Sequence, residues 1–443
     1  MMAPPTRALL ALFLASCART GAVLFPVRTP LALPPWPATY QLGRSTFVYT
    51  CSYNRLTDVS PTSIIAKFGL VAFDWSEGKE LWDKQQPMTC EKTLIAQAAA
   101  LKRSNPRARV LAYRNIVKAL PWQATPRAAL ARADAASWFL GFSPAVASPH
   151  SPRCDPTFSP PRCSALFHDQ VQTPRYPNNS KYDGTCSQPC DCGPVPCGEY
   201  LWRHTEPAVR EFIVNEYALG AGGLASGVLD GFSLDDGWSN RTNVGSNACD
   251  GSPIGGPSEV DSYCMQDMGL AQADVDAITA GWAETVAAVA AAVNGKGAFL
   301  WNQFVTVSTP PPNTSQCAAF FCGACGAAGA YLGAAILHQY SEAPGRVFDP
   351  LPAFEQDLAT FLLIRGEYAY LGFNWNGCAF GDVPGGRNNQ SWTWPPALDT
   401  DVGEPLGTCA ETAPGSAVFA RTYSRAHVAF DCNAWVGTVT ASA

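Results

Sequence analysis

Clusters of positive charge are missing from this 443-residue chain. Lys and Arg number 30 against 36 Asp and Glu, for a net charge of −6, and no cationic stripe could track phosphates, so nucleic acid is not among the expected partners. Histidine is scarce too. His150, His168, His204, His338 and His427 form no HxH or HExxH pair, so a catalytic zinc has no ligand set and no metal is expected. No glycine-rich phosphate loop follows any apolar run, and GFSLD lacks the final glycine of a GxSxG elbow, so Ser233 has no nucleophile's context. No cofactor is expected. Ala318–Leu337 is free of charge and long enough to cross a bilayer, but Ala and Gly dominate it. That composition fits a buried helix running into a buried strand, with no membrane span left once a leader is removed.

What is present is the composition of a globular protein: 47% hydrophobic and 15% charged residues. The opening stretch has a basic residue at Arg7, an apolar run from Ala8 to Ala15 and small residues near Ala18 or Ala22, which reads as a secretory signal peptide over residues 1–22. There are 17 cysteines; with Cys17 in the leader, sixteen remain, an even set that suggests disulfides in an oxidising compartment. Four sequons, at Asn178, Asn240, Asn313 and Asn389, agree with export. The chain is expected to be secreted and monomeric.

Residues 23–43 are rich in proline and suit an extended linker. From there eight short apolar runs alternate with helical or loop segments: STFVYT, FGLVAFDW, ARVLAYRN, EYLWR, GVLDGFSLDD, GAFLWNQF, AAILHQY and YAYLGFNW. Eight such units in succession predict an α/β fold, a (β/α)8 TIM barrel over residues 44–378. The clearest helix has Val275, Ile278, Trp282, Val286, Val289 and Val293 along one face. Two stretches lie outside the repeat. Residues 143–198 form a Pro- and Cys-rich insertion, where Cys154, Cys163, Cys186, Cys190, Cys192 and Cys197 read as loop staples rather than a metal cluster. Residues 379–443 end in an alternating pattern that predicts a small β-rich extension.

Strands are poor places for aspartate, yet GVLDGFSLDDGW ends a predicted strand in Asp235 and Asp236. Alternation turns Asp235 toward the barrel mouth, and the carboxyl ends of barrel strands are where active sites of this architecture lie. The other reading is that the pair caps its own loop. Asp230, at the start of the strand, reads as turn chemistry. Other strand ends offer Asp74 and Trp75, Arg114, Arg203, Asn302, Gln339 with Glu342 just beyond, and Asn374 with Trp375; Trp238 follows the aspartate pair. A mouth lined by carboxylates, amides and indoles suits a carbohydrate, with one carboxyl as general acid and another as nucleophile or base. Asp235 is the leading catalytic candidate, Glu342 its first partner, then Asp236 and Asp74. Trp75, Arg114, Arg203, Asn302, Gln339, Asn374, Trp375 and Trp238 are the expected substrate-binding residues. The alternative is a lectin-like barrel that binds glycans without cleaving them.

VLDGFSLDDGW, then DVGEPLG and VFARTYSRAHVAFDC, resemble a family of barrel-type glycoside hydrolases of unassigned activity found in bacteria and algae. The resemblance runs from about Phe47 onward and omits the Cys-rich insertion. It implies a barrel and puts Asp235 and Asp236 where such families keep an acidic residue. More distantly, the chain is similar to barrels that act on α-linked galactosides or galactosamine polymers.

Overall fold

The computed structural model describes residues 40–50, 54–56, 59–63, 65–142, 154–155, 159–169, 191–238, 269–302, 306–307, 309–326, 336–339, 353–373, 378–380 and 394–442. The leader, most of the linker and insertion, Glu342, Asn374 and Trp375 lie outside that set, as do Cys186, Cys190 and the sequons at Asn178, Asn240 and Asn389.

Seven of the eight apolar runs enter one parallel sheet. Its long strands are β1 (Thr46–Thr50), β2 (Leu70–Phe73) and β3 (Arg109–Asn115). They read TFVYT, LVAF and RVLAYRN, and apart from half-buried Arg109 every residue in them is buried. Runs apolar on both faces belong to a sheet covered on both sides. The fourth predicted strand does not join. Glu199–Leu201 pairs antiparallel with Lys118–Ala119 and with His168–Asp169 in a separate three-stranded sheet. We call these three β4 (Lys118–Ala119), β5 (His168–Asp169) and β6 (Glu199–Leu201). β6 is three residues long and meets a strand that turns back just beyond β3, so the eight-unit expectation fails at this point.

The next strand, β7 (Gly231–Asp235), therefore lies directly beside β3, with Asn115 opposite Asp235. β8 (Phe299–Asn302) flanks it. On the other side of β1 come β11 (Tyr370–Phe373), β10 (Ile336–Gln339) and the two-residue β9 (Thr306–Val307). The order is β8-β7-β3-β2-β1-β11-β10-β9, and β12 (Cys378–Phe380) also pairs with β1. Its two ends are neighbours in the chain. Asn302 and Thr306 are four steps apart, a span of at most roughly 14 Å, so the sheet has to curl until its edges approach. Phe47 on β1 meets Trp301 on β8 at 4.6 Å between ring centroids, although three strands separate them in the sheet. The architecture is thus a curled parallel α/β sheet of TIM-like form; among the described residues no ladder closes it into a complete barrel.

Gly231 starts β7 for a steric reason. At φ 153° an added Cβ would sit 1.7 Å from the Phe299 carbonyl oxygen, so only glycine lets β8 approach. Its neighbour Asp230 is structural, as expected: it accepts the Val110 N–H at 2.8 Å and pairs with Lys102 at 2.7 Å and Arg109 at 3.3 Å.

The long helix α2 (Gln272–Gly295) buries the predicted face, Val275 to Val293. By length and composition alone it could also cross a membrane. Ala318–Leu337 divides as expected into part of a helix, α3 (Thr314–Gly326), and the start of β10. α1 (Cys90–Ser104) joins β2 to β3, and α4 (Phe354–Ile364) precedes β11.

The C-terminal extension is a four-stranded antiparallel sheet: β13 (Ala410–Glu411), β14 (Val418–Thr422), β15 (Ala426–Asp431) and β16 (Val436–Ala441). Its attachment explains the ART sequence within it. Arg421 donates to the carbonyls of Leu362, Leu363 and Arg365, and the Tyr423 hydroxyl donates to Leu362 at 2.6 Å. Those carbonyls lie at the end of α4, where helical partners run out. Disulfides Cys317–Cys432 and Cys325–Cys409 bind α3 to this region, and Cys154–Cys163 and Cys192–Cys197 staple the insertion. Cys90 departs from the expected pairing: it is a buried thiol that donates to the Trp75 carbonyl at 3.3 Å.

Candidate active site

The carboxyl ends of β1, β2, β3 and β7 converge, and the alternation of each strand decides which side chains meet there. Tyr49 precedes the last residue of β1 and donates its hydroxyl to Asp74 Oδ1 at 2.8 Å. Asp74, immediately after β2, also accepts from the Ser76 backbone N–H at 3.0 Å and from the Ser76 hydroxyl. Burial pushes the Asp74 carboxyl up from its ordinary pKa, against the pull of these donors.

On β3 the alternation separates two residues that adjoin in sequence. Arg114 points into the helix layer, where its guanidinium lies over Tyr217 and Phe232, donates to Gly222 O and sits 3.5 Å from Glu91. It is only 2% exposed, so it does not face the mouth where a substrate-binding arginine was expected. Asn115 faces the other way. Its amide nitrogen donates to Asp236 Oδ2 and to the Tyr113 hydroxyl, and its oxygen accepts the N–H groups of Val117 (3.0 Å) and Lys118 (2.7 Å).

Asp236 is buried and held at φ 60°, a left-handed conformation uncommon outside glycine, asparagine and aspartate. Lys118 Nζ lies 3.3 Å from its Oδ2 and 2.8 Å from Glu199 Oε2, a buried cation between two buried carboxylates. Asp235 is half-buried and accepts the Asp236 N–H at 2.9 Å. The Tyr113 hydroxyl is driven well above its ordinary pKa, first by burial and then by the negative charges of Asp235, Asp236 and Asp74. These three aspartates therefore act on one small region.

The structure thus places Asp74 after β2 and Asp235 and Asp236 at the end of β7, on either side of β3. Trp75, beside Asp74, is buried and packs on Trp122 at 5.2 Å and Trp82 at 6.2 Å. Trp238 is buried just past the aspartate pair. Arg203 is half-buried, and its backbone N–H donates to Trp138 O. Asn302 and Gln339 end β8 and β10 as expected. Asn115 is read from the sequence only as the end of the third strand, and Tyr49, Tyr113, Lys118 and Glu199 are not singled out as site residues. Strand alternation offers Tyr49 and Tyr113; Glu199, just past the insertion, gives no sequence signal. Among the described residues no group of three or more His, Cys, Asp or Glu is placed to hold a metal ion.

No family model matches the chain, and no curated protein does. Among solved structures, it is similar to a ligand-free cyclic α-maltosyl-(1→6)-maltose hydrolase from Arthrobacter globiformis at 12% identity. That alignment covers 93% of this chain and 100% of that one with a TM-score of 0.33, too low to carry an argument about fold or chemistry.

Proposed function

We propose that the chain is a secreted glycoside hydrolase that cleaves O-glycosidic bonds of an oligo- or polysaccharide with a pair of carboxyl groups at the carboxyl ends of its sheet. The observation that carries this reading is the placing of Asp74 after β2 and of Asp235 and Asp236 at the end of β7, on either side of β3, whose Tyr113 feels the charge of all three. Their roles divide by environment. Asp235, half-buried and at the strand end, is the nucleophile or base. Asp236, ion-paired with Lys118 and bonded by Asn115, orients the corner. The acid is Glu342 or Asp74; burial of Asp74 favours its protonated form, as a general acid requires. Asn302, Gln339, Asn374, Trp375 and Arg203 would line the sugar subsites, and Arg114 is left out because it faces the helices. A (β/α)8-type enclosure belongs to the same proposal. The disulfides are compatible with an extracellular protein.

One observation favours the lectin-like alternative: Asp74 and Asp236 are both engaged by protein donors. Incubating the purified protein with α- and β-linked glycans separates the two. Released reducing sugar supports the hydrolase; saturable glycan binding without release supports the binding barrel.

A further inference from the structure

At the opposite end of the strands lies a cavity of about 540 Å³ that the proposed hydrolysis does not use. Its walls are the segments that lead into the first three strands: Gln41–Arg44 before β1, Ala66–Gly69 before β2 and Ser104–Ala108 before β3, closed on one side by Leu398–Asp401. Buried Leu42, Phe68 and Leu398 form an apolar floor. Three exposed cations, Arg44, Lys67 and Arg107, line it, and none has a carboxylate partner among the described residues. The two acidic residues in the wall are already occupied. Asp399 accepts the Trp394 indole N–H at 3.0 Å, and Asp401 is ion-paired with Arg425. Behind the first wall, buried Arg365 donates to Tyr40 O and Ser45 Oγ, on either side of Gln41–Arg44, and adds positive potential.

We propose that this cavity binds a small, ring-sized molecule that carries two or more sulfate or phosphate ester groups. The volume is that of a small-ligand pocket, within the usual range of roughly 300–1,000 Å³. Three cations lining it from separate segments, with Lys67 Nζ 5.3 Å over the Trp394 ring, match several anionic groups on one body better than a single ion. Solvent exposure makes each contact modest and sensitive to salt. The site stands apart from the aspartate cluster, and its occupancy is read without a catalytic assay.

Isothermal titration of the full chain with sucrose octasulfate and with inositol hexakisphosphate tests it, with sucrose and inorganic sulfate at equal ionic strength as controls. The expected result is saturable binding of at least one oligoanion, weakened about tenfold in the Arg44→Ser/Lys67→Ser/Arg107→Ser variant, and no comparable binding of sucrose or sulfate. Which oligoanion binds tells the sulfate ester from the phosphate ester. Asp401→Asn, which removes a negative charge from the wall and releases Arg425, is expected to tighten binding. Absence of heat with both oligoanions, equal affinity in the triple variant, or no change in Asp401→Asn would overturn the assignment.

Discussion

Lys118 Nζ sits 3.3 Å from Asp236 Oδ2, and this contact joins β6 to the aspartate corner, because the same ammonium reaches Glu199, the first residue after the insertion, at 2.8 Å. Lys118→Met would take the shared ammonium away from two buried carboxylates. Breaking a buried pair in this way costs about 3–5 kcal/mol. The expected outcome is a large drop in thermal midpoint, partly recovered by adding Glu199→Gln. An unchanged midpoint in Lys118→Met would show that the ammonium is not held there.

Much of this arrangement was legible beforehand. Phe232 and Arg114 packing together on the helix side follow from strand alternation, which the apolar runs exposed. The role of Arg114 was misjudged because the two-residue strand period was applied to β7 and not to β3. EYLWR was taken for a barrel strand because a short apolar run does not reveal its pairing partner. That partner, β4, is two residues long and carries no periodic signal. Lys118 and Glu199 meet only through that pairing, so no local pattern announces them.

The close approach of β7 and β8 at Gly231 predicts that Gly231→Ala is poorly tolerated. A Cβ placed 1.7 Å from the Phe299 carbonyl cannot be relieved by a rotamer change and must part the strands. Soluble yield and cooperative unfolding should both fall sharply. A wild-type melting curve would mean that the strands do not approach so closely.

Asp357, in the first turn of α4, sets a pH dependence. Burial lifts its carboxyl from an ordinary value of 3.8 to about 7, against a Thr309 hydroxyl that donates at 2.8 Å. Between those values the folded state binds more protons than the unfolded state, so this group's contribution falls as pH rises from 3.8 to about 7 and is level above that. The loss is on the order of 4 kcal/mol at most. Asp357→Asn removes the term and should raise stability at pH 8 relative to wild type while narrowing the difference near pH 4. Denaturant midpoints at the two pH values check it; a parallel shift at both would contradict the burial argument.

Cys317–Cys432 links residues 115 apart and fastens the C-terminal sheet to α3. With Cys325–Cys409 still closing much of the same loop, the Cys317→Ser/Cys432→Ser variant should lose about 2–4 kcal/mol. Limited proteolysis should then cut first between α3 and the sheet. Resistance equal to wild type would mean that Cys325–Cys409, Arg421 and Tyr423 suffice to secure the extension.

The most direct test of the central claim is sugar release by Asp235→Asn beside wild type on the same glycan panel, with melting curves for both. The account predicts a folded variant whose turnover is about 10³-fold lower or less than detectable, because a carboxylate that attacks or activates water has no substitute in an amide. A folded Asp235→Asn protein that releases sugar at the wild-type rate would contradict it.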